Sequence, residues 1–184
     1  MSDSGKKVFL DFKFHDIGAT VERGTASVAR LGADFLTVHA EPEVLKGAVA
    51  GRGGDKRLKI LGVTVLTSLT QDSLAESGIS MRLEDLVLRR AEFCVRAGAD
   101  GVVASAREAL TIRQRFGDDL LIVTPGVRPA GASADDQARI VTPSDAIRSG
   151  ADHLVVGRPI VNARDPGTAA RAILDEIAAA TPPR

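Results

Sequence analysis

The chain has 184 residues, with 24 Lys and Arg against 24 Asp and Glu, three His and one Cys, for a formal net charge of zero. That length suits a single domain, residues 1–184, with a real core, and balanced charge without aromatic-rich basic patches argues against a nucleic-acid partner. No apolar run is long enough for a membrane span and no signal-peptide pattern opens the chain; one cysteine, Cys94, rules out an internal disulfide, fits a reducing, cytoplasmic setting and, with three scattered histidines, makes no zinc pattern.

The first apolar run, Val8–Phe12, leads into the phrase VFLDFKFHDIGATV. Strand geometry puts side chains two apart on one face, so Asp11 and Lys13 should project together, with Asp16 in the turn beyond. A lysine between two carboxylates is favoured in its charged form; such a group can repel a substrate anion and deliver a proton. Further short apolar runs follow at Phe35–His39, Lys59–Val65, Gly101–Val103, Leu121–Thr124 and His153–Val156. Near-continuous apolar runs of this length predict parallel strands buried on both faces.

Helical stretches lie between them. Leu83, Leu86, Val87, Ala91, Cys94 and Val95 fall on one helical face, as do Ala170, Ile173, Leu174 and Ile177 near the end. Thr142-Pro143 and Asp165-Pro166 read as an N-cap followed by proline in the first turn. The phrase Gly-Ala-Asp recurs before three of the strands, at Leu31–Asp34, Ala97–Asp100 and Gly150–Asp152. Its glycine marks a helix C-terminus feeding a strand. Six βα units in series predict an α/β fold, either a barrel or a doubly wound sheet.

The two loops after the last strands favour the barrel, because (β/α)₈ barrels commonly hold phosphate there. One is Thr124–Pro129 running on to Asp136-Gln137; the other is Val156-Gly157-Arg158-Pro159. Glycine lets backbone amides approach an anion, and arginine can grip phosphate oxygens with a two-pronged fork. Neither GxGxxG nor GxxxxGK[ST] is present, so no dinucleotide or nucleoside triphosphate is indicated.

With those residues in place, the chain resembles the orotidine 5′-phosphate decarboxylase family in its bacterial form. The matching phrases are LDFKFHDIGATV, FLTVHA, GVTVLTSL, DGVVASAREA, VTPGVRP, DDQARIVTPSDAI and DHLVVGRPIV, in order along nearly the whole chain. The resemblance implies a TIM (β/α)₈ barrel, here incomplete with about six βα units, that decarboxylates orotidine 5′-monophosphate to UMP. Asp11 would face the orotate carboxylate and Lys13 would protonate C6. Asp16 and Thr20 would reach the neighbouring subunit's site, making a homodimer with shared active sites. Thr67 and Ser68 would contact the nucleotide, while Arg128, Gln137, Gly157 and Arg158 would hold the phosphate. Neither a metal nor an organic cofactor is implied. The alternatives are a catalytically impaired relative that only binds nucleotide phosphate, and another sugar-phosphate decarboxylase of the same barrel family.

Two departures from the family pattern stand out. The family's barrel begins with two further βα units, which carry a ribose-binding aspartate and a second lysine of the charge network; this chain starts at what corresponds to the third strand. Met1 is therefore expected to be an internal methionine of a longer protein, and an eight-stranded barrel cannot close from six strands without unpaired edges. Such a chain is expected to be marginally stable, aggregation-prone or dependent on a partner. In the second departure, Gly18-Ala19 stands where the family usually has Pro-Asn. Ordinary structural roles are expected for His15, His39 and His153, core packing for Cys94, and a solvated helix face for the charged run from Arg107 to Arg115.

Overall fold

The computed structural model describes residues 5–129 and 141–180. Its elements run β1 (Phe9–Phe14), α1 (Gly18–Leu31), β2 (Phe35–His39), α2 (Pro42–Arg52), β3 (Lys59–Val63), α3 (Gln71–Glu76), α4 (Leu83–Ala97), β4 (Gly101–Val103), α5 (Ala106–Phe116), β5 (Leu121–Thr124), α6 (Pro143–Arg148), β6 (His153–Leu154), α7 (Arg158–Val161) and α8 (Pro166–Ala180). The expected alternation of six strands with helices is thus present. Two compact units divide the chain. The first takes residues to 64, 84–103 and 118–121; the second takes 65–83, 104–117 and 122 onward.

In the first unit the strands pair in parallel. β2 and β3 stay in register from Phe35 opposite Lys59 to His39 opposite Val63, and β3 pairs with β4 from Leu61 opposite Gly101. Leu36, Val38, Leu45, Ile60, Leu61, Val87 and Cys94 are buried around these strands. Burial in this apolar setting pushes the Cys94 thiol up to about 12, so Cys94 is a core residue, as expected. In the second unit β5 and β6 pair in parallel, and Ala106, Val127, Ala146 and Ala151 form a core with Val141, Leu154 and Val156 against it.

The recurring Gly-Ala-Asp phrase has one physical job at all three places. Gly32, Gly98 and Gly150 adopt φ of 77°, 76° and 97°, a left-handed turn that ends each helix where other residues would be strained. The alanine that follows is buried. The aspartate then closes a reciprocal lock. Asp34 Oδ2 accepts the Val8 N–H at 2.8 Å, Asp100 Oδ2 the Ile60 N–H at 2.9 Å, and Asp152 Oδ2 the Ile122 N–H at 2.7 Å. Each aspartate's own N–H donates back to the carbonyl of that same residue, at 2.9 Å in all three cases. An amide at the start of each strand, Val8 just before β1 and the second residues Ile60 of β3 and Ile122 of β5, is satisfied this way.

Both expected proline-led caps are present. Thr142 Oγ1 accepts from the Asp145 N–H at 3.1 Å, and Asp165 accepts both the hydroxyl and the N–H of Thr168, which hold its carboxyl below the ordinary value. Boundaries differ in detail: β3 ends at Val63 and β6 at Leu154, short of the expected Val65 and Val156. Val95 and Leu174, expected on buried faces, are 42% and 61% exposed. Each sits at the margin of its helix's apolar stripe, where the neighbouring elements do not cover it.

Helices α1 and α2 approach closely because α2 carries Gly47 and Gly51 on the facing side. A Cβ on Gly51 would overlap the carbonyl oxygen of Glu22, and one on Gly47 that of Gly18. Gly51→Ala is expected to destabilise the chain by about 1–3 kcal/mol in urea unfolding despite alanine's better helix propensity, since the backbone it meets cannot rotate away. Gly54→Ala, with open space around its Cβ position, should stay within about 0.5 kcal/mol of the parent. Equal stability of both variants would refute the close packing.

Candidate active site

The charged residues of the first unit gather where β1 departs from regular pairing. Phe9 and Leu10 stand opposite Phe35 and Leu36, but the next paired residue is Phe14, opposite Val38, so the strand bulges between. Within the bulge Lys13 takes φ of +50°, and among the described residues it alone does so without being a glycine. That conformation costs a non-glycine residue about 1–2 kcal/mol. Bulges are a recurrent means of re-aiming a side chain beside an active site.

Three bonds hold the bulge. The Lys13 N–H donates to Thr37 Oγ1 at 2.9 Å, the Thr37 hydroxyl donates to Asp11 Oδ1 at 2.8 Å, and Lys13 Nζ donates to Asp11 Oδ2 at 2.6 Å. Thr37 is completely buried, whereas the Asp11 and Lys13 side chains remain 47% and 37% exposed. So exposed an ion pair contributes less than about 1 kcal/mol to stability; its value lies in placing an ammonium beside a carboxylate on an accessible surface. Asp11 and Lys13 do come together, as expected, although through the bulge and Thr37 and not through plain strand alternation.

Asp16 is not paired with Lys13 among the described residues. Its exposed carboxylate accepts the Ile17 N–H at 2.7 Å, and among the described residues the ion pair of Lys13 is with Asp11. Among the described residues the lysine therefore has one carboxylate partner, because the Asp16 side chain folds onto the backbone at the start of α1. Thr20, in the first turn of that helix, accepts from Arg23 Nη2 at 3.5 Å. Beside the bulge, the His15 and His39 rings lie 4.5 Å apart and His15 Nε2 stands 3.2 Å from Glu41 Oε2. His39 is held below its ordinary pKa by burial first, then by His15, with Glu41 opposing and Arg90 and Lys13 adding smaller positive influences.

The second unit carries the loop residues. Thr67 and Ser68 lie beyond β3 in a turn closed by the Leu69 N–H on the Leu66 carbonyl at 3.0 Å. Arg128 is 5% exposed. Its main-chain N–H donates to the Val141 carbonyl and its Nη1 to the Val127 carbonyl, both at 3.0 Å, while its buried Nε has no partner among the described residues. A buried guanidinium with donor capacity left over is a group that an anion would satisfy. Gly157 is exposed and heads α7, and Arg158, half-buried, is the first residue of that helix. Gln137 falls outside the described residues.

Sequence reasoning missed two polar residues. Thr37 reads in the sequence as one more β-branched residue of an apolar strand. Glu108 was expected on a solvated face, yet it is buried and accepts the Ser105 hydroxyl; its only sequence signal is a serine three positions earlier, the spacing of a helix N-terminus. Among the described residues, no group of three or more His, Cys, Asp or Glu side chains is placed to hold a metal.

Comparison with known proteins gives a consistent picture. The family model described as orotidine 5′-phosphate decarboxylase / HUMPS family matches residues 1–173. The chain is 55% identical over 181 residues to an orotidine 5′-phosphate decarboxylase of Rhodopseudomonas palustris (strain BisB5), covering 98% of this chain and 77% of that protein. A protein of the same name from Methylobacterium sp. (strain 4-46) is 54% identical over 182 residues, with 98% and 77% covered. Among solved structures, the orotidine 5′-phosphate decarboxylase from Lactobacillus acidophilus superposes with a TM-score of 0.82 at 40% identity, covering 96% of this chain and 77% of that one. That from Pyrococcus horikoshii OT3 gives 0.71 at 28% identity, with 96% and 76% covered.

Proposed function

Since this chain belongs to the orotidine 5′-phosphate decarboxylase / HUMPS family, we propose that it converts orotidine 5′-monophosphate to UMP and CO₂ in pyrimidine biosynthesis. The observation that carries this reading is the 55% identity, across 98% of the chain, with a protein named for that reaction; the Lys13–Asp11 pair supplies the chemistry. As the bond from C6 to the carboxylate breaks, its electron pair stays on C6 and CO₂ departs. The Lys13 ammonium stabilises that developing negative charge and gives C6 its proton, which solvent returns to the amine. Asp11 stands against the substrate carboxylate and keeps the ammonium in position.

In the same proposal Arg128, Gln137, Gly157 and Arg158 hold the phosphate, and Thr67 and Ser68 contact the nucleotide. Asp16 and Thr20 complete the site of a second copy in a homodimer, and the enzyme works in the cytoplasm. The exposure of Asp16 at the chain's surface and the unfilled Nε of Arg128 support these assignments. The deciding experiment is turnover of orotidine 5′-monophosphate by the purified chain without added metal. UMP binding without turnover would leave a nucleotide-binding relative, and activity on a hexulose phosphate in its place would move the chain to the other branch of the family.

Arg158→Ala is expected to weaken UMP by about thirtyfold, from loss of about 2 kcal/mol of charge-assisted hydrogen bonding, as read by calorimetric titration. Uridine, which lacks the phosphate, should bind the variant and the parent alike. A variant that loses uridine affinity as well would contradict the phosphate role.

A further inference from the structure

We propose that Thr37 is a positioning residue for the reaction, holding Lys13 and Asp11 in their working geometry through its hydroxyl; the inference rests on the decarboxylase reading above. A threonine hydroxyl has one proton to give and two lone pairs to receive. Here both functions go to the same constellation. The oxygen receives the Lys13 N–H at 2.9 Å, so its own proton is free for Asp11 Oδ1, at 2.8 Å. The other oxygen of Asp11 takes Lys13 Nζ at 2.6 Å. One buried side chain thereby fixes the plane of the carboxylate and the backbone of the lysine that the carboxylate pairs with.

The backbone bond matters because Lys13 is at φ +50°. The bulge has no ladder partner between Leu10 and Phe14, so the left-handed conformation is held from outside the strand, and Thr37 Oγ1 is the group that accepts its amide. Thr37 itself cannot drift: it stands opposite Leu61 in the regular β2–β3 pairing and is completely buried. The strain at Lys13 is therefore imposed by a rigid neighbour, the arrangement expected where a reacting group is preorganised. Valine has nearly the shape of threonine and suits a strand equally well, yet it can neither accept the amide nor donate to Asp11.

Thr37→Val and Thr37→Ser test the inference in the full chain. Thr37→Val is expected to lower kcat by about tenfold to hundredfold, with the Kd for UMP within about threefold of the parent, because the product's phosphate contacts are elsewhere. Thr37→Ser, which keeps the hydroxyl, should recover most of the rate. Independently of turnover, hydrogen exchange of the Lys13 amide should speed up by about tenfold or more in Thr37→Val and return in Thr37→Ser, while the Ile60 and Ile122 amides stay protected. An unchanged Lys13 amide, or equal loss of rate in the valine and serine variants, would overturn the role of the hydroxyl. Should the parent chain fail to decarboxylate orotidine 5′-monophosphate, the functional reading falls on that result, and exchange at Lys13 still decides whether Thr37 holds the bulge.

Discussion

Lys13→Ala is expected to reduce decarboxylation by about 10²–10⁴-fold, the range associated with loss of a positioned acid, while UMP continues to bind within a few-fold of the parent affinity. The substitution isolates the ammonium unusually well. Lys13 occupies φ +50°, and alanine meets the same steric cost there as lysine, so the backbone penalty is common to parent and variant. The amide bond to Thr37 needs no side chain and survives. What disappears is the group paired with Asp11, leaving a lone carboxylate that repels the substrate's own. Lys13→Gly should give a comparable fall in rate with higher thermal stability, since glycine accepts positive φ without strain. Parallel loss of UMP affinity and turnover would show that position 13 serves binding and would remove Lys13 from the role of proton donor.

Asp100→Ala should produce the largest loss of stability, about 3–5 kcal/mol, seen as a drop of roughly 10 °C in thermal unfolding. Asp100 is more than a strand lock. Its carboxylate also accepts from Arg52 and, at 3.1 Å, from Lys59 Nζ. The Arg52 side chain is only 4% exposed, reaches the Gly98 carbonyl at 3.4 Å, and has an Nε without a partner among the described residues. Removing the carboxylate leaves that guanidinium buried and uncompensated, which costs far more than the pair contributes over an apolar replacement. Asp34→Ala makes the contrast. The lock of Asp34 is to an amide alone, so about 1 kcal/mol is expected. Adding Arg52→Met to Asp100→Ala should restore part of the stability, and the double-mutant cycle measures the coupling. A loss below about 1 kcal/mol for Asp100→Ala would mean that water reaches Arg52 and that the buried-charge account is wrong.

What could be read from the sequence followed the range of the interaction that decides it. Phe35–His39, Gly101–Val103 and Leu121–Thr124 match the observed strands residue for residue, because a continuous apolar run encodes burial on both faces by itself. The proline-led caps at Thr142 and Asp165 were legible for the same reason: donor and acceptor lie three residues apart. β1 was legible only in part. Its charged end depends on Thr37, 24 residues from Lys13, and no local pattern announces that a strand residue will bond sideways into a bulge. The Arg107–Arg115 run failed in the same manner, since Glu108 is buried by packing that its neighbours in sequence do not reveal, and Arg113 is committed to the Gly150 carbonyl and to Asp152. For the site, the residue types and their order were visible, but the conformation that presents Lys13 was not.

The aspartate locks also bear on how each strand pair keeps its register. Each one closes a pair, Asp34 tying β2 to the start of β1, Asp100 tying β4 to β3, and Asp152 tying β6 to β5. In a parallel sheet a slip of one residue turns every side chain to the opposite face, so each pair carries its own register mark, written in three letters at the end of a helix. The mark at Val8 holds Phe9 and Leu10 in register with β2, and the bulge beyond them, where Lys13 sits, is set separately by Thr37.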